Sequence, residues 1–561
     1  MAGGRAIQRL TKDQSRPRTP GLVYTALAAV LVVILAVIAT TATQPPPPSI
    51  AEFAPQALEQ IKDAPSEQSG DFGQEGGIGG PGGRRATLAA ANPPAPIDVP
   101  RVRRCVGNPP RQIADPQSPP CVPYWKGDNG GATYQGVTRD TIKIKVPLYD
   151  GLQNPGLHQA LQNFFNSRFE FYGRKLVLAQ GQAASGPSPE QQQADAAQAD
   201  NVEKVFASTT GGAGAYFYHK ELARRKVLSV PILSTSFSST ELLRLSPYVW
   251  EYQMATDKQL DILGTWACRR LVGRNATHGG AAVQSSRRVF GGIMEHIFDD
   301  DTVNLRPLKA ALRRCGASLA AEYEFYGGDA LGDQSRAPQR TSDATNAVLR
   351  MKSANVTTVF CICVFSEFAA MTRAATAQTY FPEWAGTSYH FMDYNVAMQQ
   401  FAGATPEQFE HLFGISFNPK QLPPDQAPLV WAAREGNPNY EFRDYNTSFG
   451  FALFMYRELL ALASGIQMAG PKLTPQTFAA GLLKTKFPNP KTPLMAGDVG
   501  FAGDREMTDD FAEIWWNSAA PNPYGGTGAY CYVAGGRRLT KESIGRDDPL
   551  FKPPCDSGTS R

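Results

Sequence analysis

The residues of this chain best suited to chemistry are suited to holding a ligand, not to transforming one. Ser208-Thr209-Thr210-Gly211-Gly212-Ala213-Gly214 joins an apolar run to a helical one. A Gly-rich loop at a helix N-terminus offers free backbone N–H groups and the positive end of the helix dipole. Thr209 and Thr210 add hydroxyls, which suits a carboxylate or another acceptor; the plainer reading is an N-cap with a tight turn. Ser234-Thr235-Ser236 directly follows the run VLSVPIL and reads either as a second polar half-site or as a solvated turn. Phe365 follows VTTVFCICV, and Tyr389, His390 and Asp393 follow the next apolar stretch. Rings there would close over an apolar ligand body, and a carboxylate would hold an ammonium. The competing reading for each Phe is ordinary core.

Catalytic signals are missing from the sequence. The six histidines form no HExxH or other metal spacing, and neither a GxSxG elbow nor a P-loop occurs. No CxxC pair or Cys/His cluster has zinc spacing. The sequence therefore predicts no enzyme, no cofactor and no metal site.

From about residue 140 short apolar runs alternate with amphipathic ones. Thr141–Val146 reads as a strand, 157–172 as a helix with Leu157, Leu161, Phe164, Phe165 and Phe169 on one face, and 175–179 as a strand. Residues 189–201 read as a polar helix, 202–208 as the approach to a strand, 214–225 as a helix and 227–233 as a strand. The alternation then repeats. Helices are expected at 257–271, 306–315, 344–354, 367–379 and 445–464, and strands at 280–283, 318–325 and 356–364. This pattern predicts an α/β chain of two Rossmann-like lobes with parallel sheets, joined by a hinge with a crossover near 246–254.

The 561 residues allow more than one domain, and 42% apolar content allows large cores. The 52 Gly and 44 Pro are concentrated early, which marks linker. Residues 1–20 carry Arg5, Arg9, Lys12, Arg16 and Arg18 against Asp13 and hold the whole formal charge of +4. The rest is neutral and has no field to attract nucleic acid. Residues 21–43 are uncharged and long enough to span a bilayer, with the basic flank placing 1–20 inside; a retained anchor is favoured over a cleaved signal. Residues 44–104 read as a Pro/Gly-rich tether, with a root-mean-square span of roughly 45 Å.

Eight cysteines in an exported chain suggest disulfides. Cys105 and Cys121 bracket a Pro-rich stretch with little core of its own, inside a lead-in at 105–140. Cys531 and Cys555 would fasten the tail, and Cys268 and Cys315 sit near the ends of two helices. Cys361 and Cys363 share a strand face and are expected as buried free thiols.

With those elements in place, the chain resembles the type I periplasmic solute-binding proteins, in particular the branched-chain amino acid ABC transporter group of actinobacterial type. The resemblance runs over 127–540. It rests on GDNGGATYQGVTRDTIKI, on 227–240 followed by SPYVWEYQMATDKQ, on RRVFGG, on TTVFCICVFSEFAAMTRAATAQTYFPEWAGT and on YNTSFGFALFMYRELLALASGIQMAGPKLTPQTFAAGL. It implies lobe 1 mainly at 141–250, lobe 2 mainly at 251–400, late segments returning between the lobes at 401–540, and a tail at 541–561. It also implies ligand contacts at Thr209, Thr210, Gly211, Gly212, Ser234, Thr235 and Ser236, with Phe290 where members often carry a stacking Tyr. Amino acid binders place an acid in lobe 2. Asp393 lies a few residues late for it, and Glu367 looks like a helix-start residue.

The expected function is capture of a small polar ligand, an amino acid, amide or similar, between two lobes outside the cell membrane, for delivery to an ABC-type permease. The alternative is a sensing or envelope ectodomain with the same fold.

Overall fold

Strand β1 (Thr141–Leu148) alternates buried Ile142, Ile144 and Val146 with Lys143 and Lys145. Lys145 is nonetheless buried, because its ammonium meets Glu203 at 3.0 Å. Helix α1 (Pro155–Arg168) buries Leu157, Leu161, Phe164 and Phe165, the face the 3.6-residue period predicts. The helix stops short of 172 because the chain is drawn off: Gln467 Oε1 accepts the Glu170 N–H at 2.9 Å, and Tyr172 and Gly173 turn with positive φ. Then follow β2 (Lys175–Gln182), α2 (Pro189–Asn201), β3 (Ala207–Thr209), α3 (Tyr216–Arg224) and β4 (Leu228–Val230). Ser188 caps α2 by accepting the Gln191 N–H, ahead of Pro189 at the first helical position. The four strands form one parallel sheet in the order β2-β1-β3-β4.

The computed structural model describes residues 105–148, 155–182, 188–209, 215–231, 237–297, 303–327, 336–442, 447–489, 499–545, 550–551 and 554–558. All of them fall in one unit, Glu67–Arg561. The expectations for the basic tail, the apolar segment and the tether at 1–104 lie outside the described residues.

A short helix α4 (Ser239–Arg244) precedes the crossover. The crossover runs beside β4, with Tyr248 O and Ser229 O accepting the N–H groups of Ser229 and Trp250. It then pairs Glu251 with the chain at Arg505 and Met507. The second sheet is built from α5 (Thr256–Arg270), β5 (Phe290–His296), α6 (Arg306–Arg313), β6 (Leu319–Tyr326), α7 (Ala337–Ser353), β7 (Thr358–Ile362), α8 (Phe365–Ala377), β8 (Glu383–Gly386), α9 (Asn395–Ala402), α10 (Pro406–Phe409) and β9 (Leu412–Ser416). Helices α11 (Pro428–Gly436), α12 (Thr447–Ala469) and α13 (Pro475–Lys484) follow, then β10 (Ala512–Pro521) and β11 (Thr527–Tyr532). Its strand order is β11-β10-β9-β8-β7-β5-β6. The pairs from β6 to β9 are parallel, and the last two strands add antiparallel. The expected class, α/β with two Rossmann-like lobes, is the observed one, with the second sheet parallel from β6 to β9 and extended by antiparallel β10 and β11.

The late helices leave the second sheet. Helix α11 packs on α1, so closely that a Cβ on Gly436 would lie 1.8 Å from the Ala160 carbonyl oxygen. Helix α12 lies on β3 and β4 and touches α9 on its other side. It is apolar and long enough to cross a membrane, yet most of that stretch is core. The chain thus passes between the two halves after β4, after β9 and again before β10.

Two expectations are corrected. Residues 280–283 form a turn, with Gly280 O accepting the N–H groups of Val283 and Gln284, and the strand lies at β5. Gly280 is pinned there by donating its own N–H to Phe381 O. Cys361 and Cys363 are not free thiols but a disulfide. Cys363 stands just past the end of β7, where the chain leaves the pleat, and the two Cα atoms approach to 5.3 Å. The pairs Cys105–Cys121, Cys268–Cys315 and Cys531–Cys555 are also disulfides.

Candidate ligand-binding site

Ligands of parallel α/β sheets gather at the carboxyl ends of the strands. Strand β3 ends on Thr209, whose hydroxyl is buried without a hydrogen-bond partner among the described residues. The residues that follow, Thr210, Gly211 and Gly212, and likewise Ser234, Thr235 and Ser236 after β4, lie outside the described residues. Ser208 Oγ meets the Tyr218 hydroxyl of α3 at 2.9 Å, so that hydroxyl serves the contact between strand and helix.

Among the second-sheet candidates, Phe290 belongs to the core. It opens β5 at the amino end, stacked on Phe360 at 5.5 Å, so the expected stacking on a ligand is corrected. Tyr389 is fully buried and donates its hydroxyl to Glu295 O at 2.9 Å. Asp393 is 1% exposed. It accepts from Ser388 Oγ at 2.6 Å, Ser416 Oγ at 2.5 Å and Asn418 Nδ2 at 3.0 Å. Burial pushes its carboxyl above the usual range, and those donors pull the other way. It ties the chain after β8 to the end of β9 and is not free for a ligand ammonium. Glu367 is likewise engaged, with Arg340 at 3.1 Å.

Phe365, the first residue of α8, does face a recess. Phe365, Phe391, Tyr394, Val396 and Ala397 line it from the second sheet's side, and Gly450, Phe451 and Phe454 from α12. Phe391 sits at its centre, with ring centroids 4.6 Å from Phe454 and 5.6 Å from Phe451. His390 and Phe391 both have positive φ, 39° and 65°. Two consecutive non-glycine residues in that region are costly, and such strain collects at functional sites.

A second recess, more polar than the first, shares Tyr394 and Phe454 with it. Its wall includes Tyr252 of the crossover, Asn418 to Leu422 after β9, Arg457 of α12 and Tyr524 of the β10–β11 turn. Gly450, Leu453, Phe454 and Arg457 fall at the i, i+3, i+4, i+7 positions of one helix face, so α12 carries a stripe from rings to charge. Arg457 Nη1 donates to Asp115 Oδ2 at 2.6 Å, and the Tyr456 hydroxyl meets the same oxygen at 3.0 Å. Burial is the largest single influence and works against the guanidinium's charge, but Asp115 together with Tyr252, Tyr456 and Tyr394 holds the group above its ordinary range. Lys420 pairs with Asp556 at 2.6 Å. The lead-in is therefore part of the wall: Asp115 holds Arg457, and Gln117 Oε1 accepts the Tyr252 hydroxyl at 2.8 Å.

No protein-family profile matches the chain, and no curated protein matches it in sequence. Solved structures do resemble it. A fatty acid ABC transporter substrate-binding protein from Thermomonospora curvata is 15% identical, with 78% of this chain and 100% of that one covered at a TM-score of 0.47. A leucine-binding protein from Thermotoga maritima is 13% identical over 72% of this chain and 99% of that one, TM-score 0.47. A solute-binding protein of an ABC transporter from R. palustris, in complex with 4-hydroxybenzoate, is 13% identical over 73% and 99%, TM-score 0.47.

Proposed function

We propose that the chain is an extracytoplasmic solute-binding protein of the type I periplasmic kind, which holds a small ligand between its two halves and presents it to an ABC-type permease. The observation that carries this reading is the pair of adjoining recesses, walled on one side by α12 of the first half and on the other by residues of the second. A ligand placed there touches both halves only when they are together, so binding shifts the balance toward closure. No bond need be made or broken. The sequence resemblance over 127–540 points the same way. Four disulfides among the described residues suit an oxidising compartment, and the apolar segment at 21–43 would be the anchor, with 44–104 as the tether. Thr209, with its unpartnered hydroxyl, and the Ser/Thr loops after β3 and β4 remain the proposed first-half contacts, and Phe365 the second-half one.

The test is a thermal-shift screen of the full chain against amino acids, amides, ureas, aromatic and aliphatic acids, and sugars. A dose-dependent rise in Tm is expected for one class, because a ligand that binds only the folded state stabilises it by mass action. A flat response across the whole panel overturns the reading.

A further inference from the structure

Arg457 is nine-tenths buried, and a guanidinium has five N–H donors in a planar fork. The described residues fill little of it. Asp115 takes Nη1, and the remaining contact is the face of the Tyr456 ring, 5.4 Å away. None of the leftover donors is sealed in the core; Arg457 lines the recess, and carboxylates fill a guanidinium's donors two at a time. Tyr394 and Tyr524 stand on the same wall, and neither hydroxyl has a hydrogen-bond partner among the described residues. An acceptor group placed there would meet a cation and two phenolic donors.

The other end of the site has the opposite character. Phe365, Phe391, Phe451, Phe454 and Val396 offer only rings and aliphatic carbon. The carboxylates around the polar recess are already engaged: Asp115 by Arg457, Asp393 by two serines and Asn418, and Asp556 by Lys420. Glu251, beside Tyr252, has both oxygens buried without a hydrogen-bond partner among the described residues but is not on the wall, and no side chain lining either recess is a carboxylate that could receive an ammonium.

We infer that the site takes an organic acid without an amino group, its carboxylate on Arg457, Tyr394 and Tyr524 and its aromatic or acyl body between Phe391 and the Phe451–Phe454 face of α12. This rests on the solute-binding reading above and names the ligand class for it. It departs from the amino acid or amide that the sequence suggests.

Calorimetric titration of the full chain with matched probes separates the cases. The acids are 3-phenylpropionate and 4-methylpentanoate. Their primary amides lack the charge, and phenylalanine and leucine add only the ammonium. The acids are expected to bind about tenfold or more tighter than either counterpart. Tyr524→Phe keeps the ring and should weaken acid binding several-fold and amide binding less, since a hydrogen bond to a carboxylate is the stronger one. Arg457→Lys keeps the charge beside Asp115, loses the fork, and should weaken acid binding further. Amides or amino acids binding as tightly as the acids overturn the inference and leave the solute-binding reading standing. Unchanged acid affinity in both variants overturns the placement of the carboxylate. Failure of every probe, together with a flat thermal-shift panel, removes the underlying reading as well.

Discussion

Asp115 and Arg457 are 342 positions apart in sequence and meet at 2.6 Å in the buried wall of the polar recess. The pair joins the disulfide-stapled lead-in to the long helix α12, beside the crossover between the halves. Removing one partner of a buried pair leaves an uncompensated charge and typically costs about 3–5 kcal/mol. Asp115→Asn is therefore expected to lower unfolding stability by that order in urea titrations, and Asp115→Asn with Arg457→Met by clearly less. Equal losses in the single and double variants would show that the pair carries no such charge penalty.

The disulfides differ in the loops they close. Cys268–Cys315 spans 47 positions and Cys361–Cys363 only 2. Chain entropy gives about 4 kcal/mol for the first and about 1.5 kcal/mol for the second. Urea unfolding of the two double-alanine variants should show the larger loss for Cys268→Ala/Cys315→Ala. A reversed order would mean that the short bridge contributes through the packing around it rather than through loop closure.

His219 on α3 is fully buried, and neither ring nitrogen has a hydrogen-bond partner among the described residues. Burial lowers its pKa to about 3, against about 6.5 in an unfolded chain. Between those values the unfolded chain binds the extra proton. The stability tied to this ring is complete above pH 6.5 and is lost as pH falls toward 3, by at most about 1.4 kcal/mol per pH unit. His219→Leu removes that dependence, so its Tm should drop less than the wild type's between pH 7 and pH 5. Identical drops would mean that the ring does not titrate differently in the two states.

Much of this architecture was readable from local pattern. Ile142, Ile144 and Val146 alternate, Leu157, Leu161, Phe164 and Phe165 recur at helical spacing, and both patterns lie where the period puts them. The site was less readable, for three physical reasons. Arg457 looks like a surface helix residue until Asp115, in a Pro-rich stretch far away, is set against it. Phe391 reaches the recess only through left-handed backbone at His390 and Phe391, which no residue type there announces. Asp393 has the right chemistry for an ammonium, but its three donors come from Ser388, Ser416 and Asn418, on a neighbouring strand and loop that periodicity does not bring together. The aromatic richness of α12 was visible in sequence, and the stripe 450, 453, 454, 457 was the signal available for finding the recess.

On the proposed reading a solute lies between α12 and the second half, against the rings. Phe451 is the informative position, because its partly exposed ring lines the recess and touches Phe391 as well as packing on the core. The measurement is the calorimetric Kd of the acid that raises the melting temperature most, for wild type and for Phe451→Ala. Loss of a ring from a ligand wall predicts an affinity about tenfold or more weaker, in a variant that still unfolds cooperatively though at a lower Tm, since the ring also packs on the core. An unaltered Kd in a folded Phe451→Ala protein would contradict the account and place the ligand elsewhere.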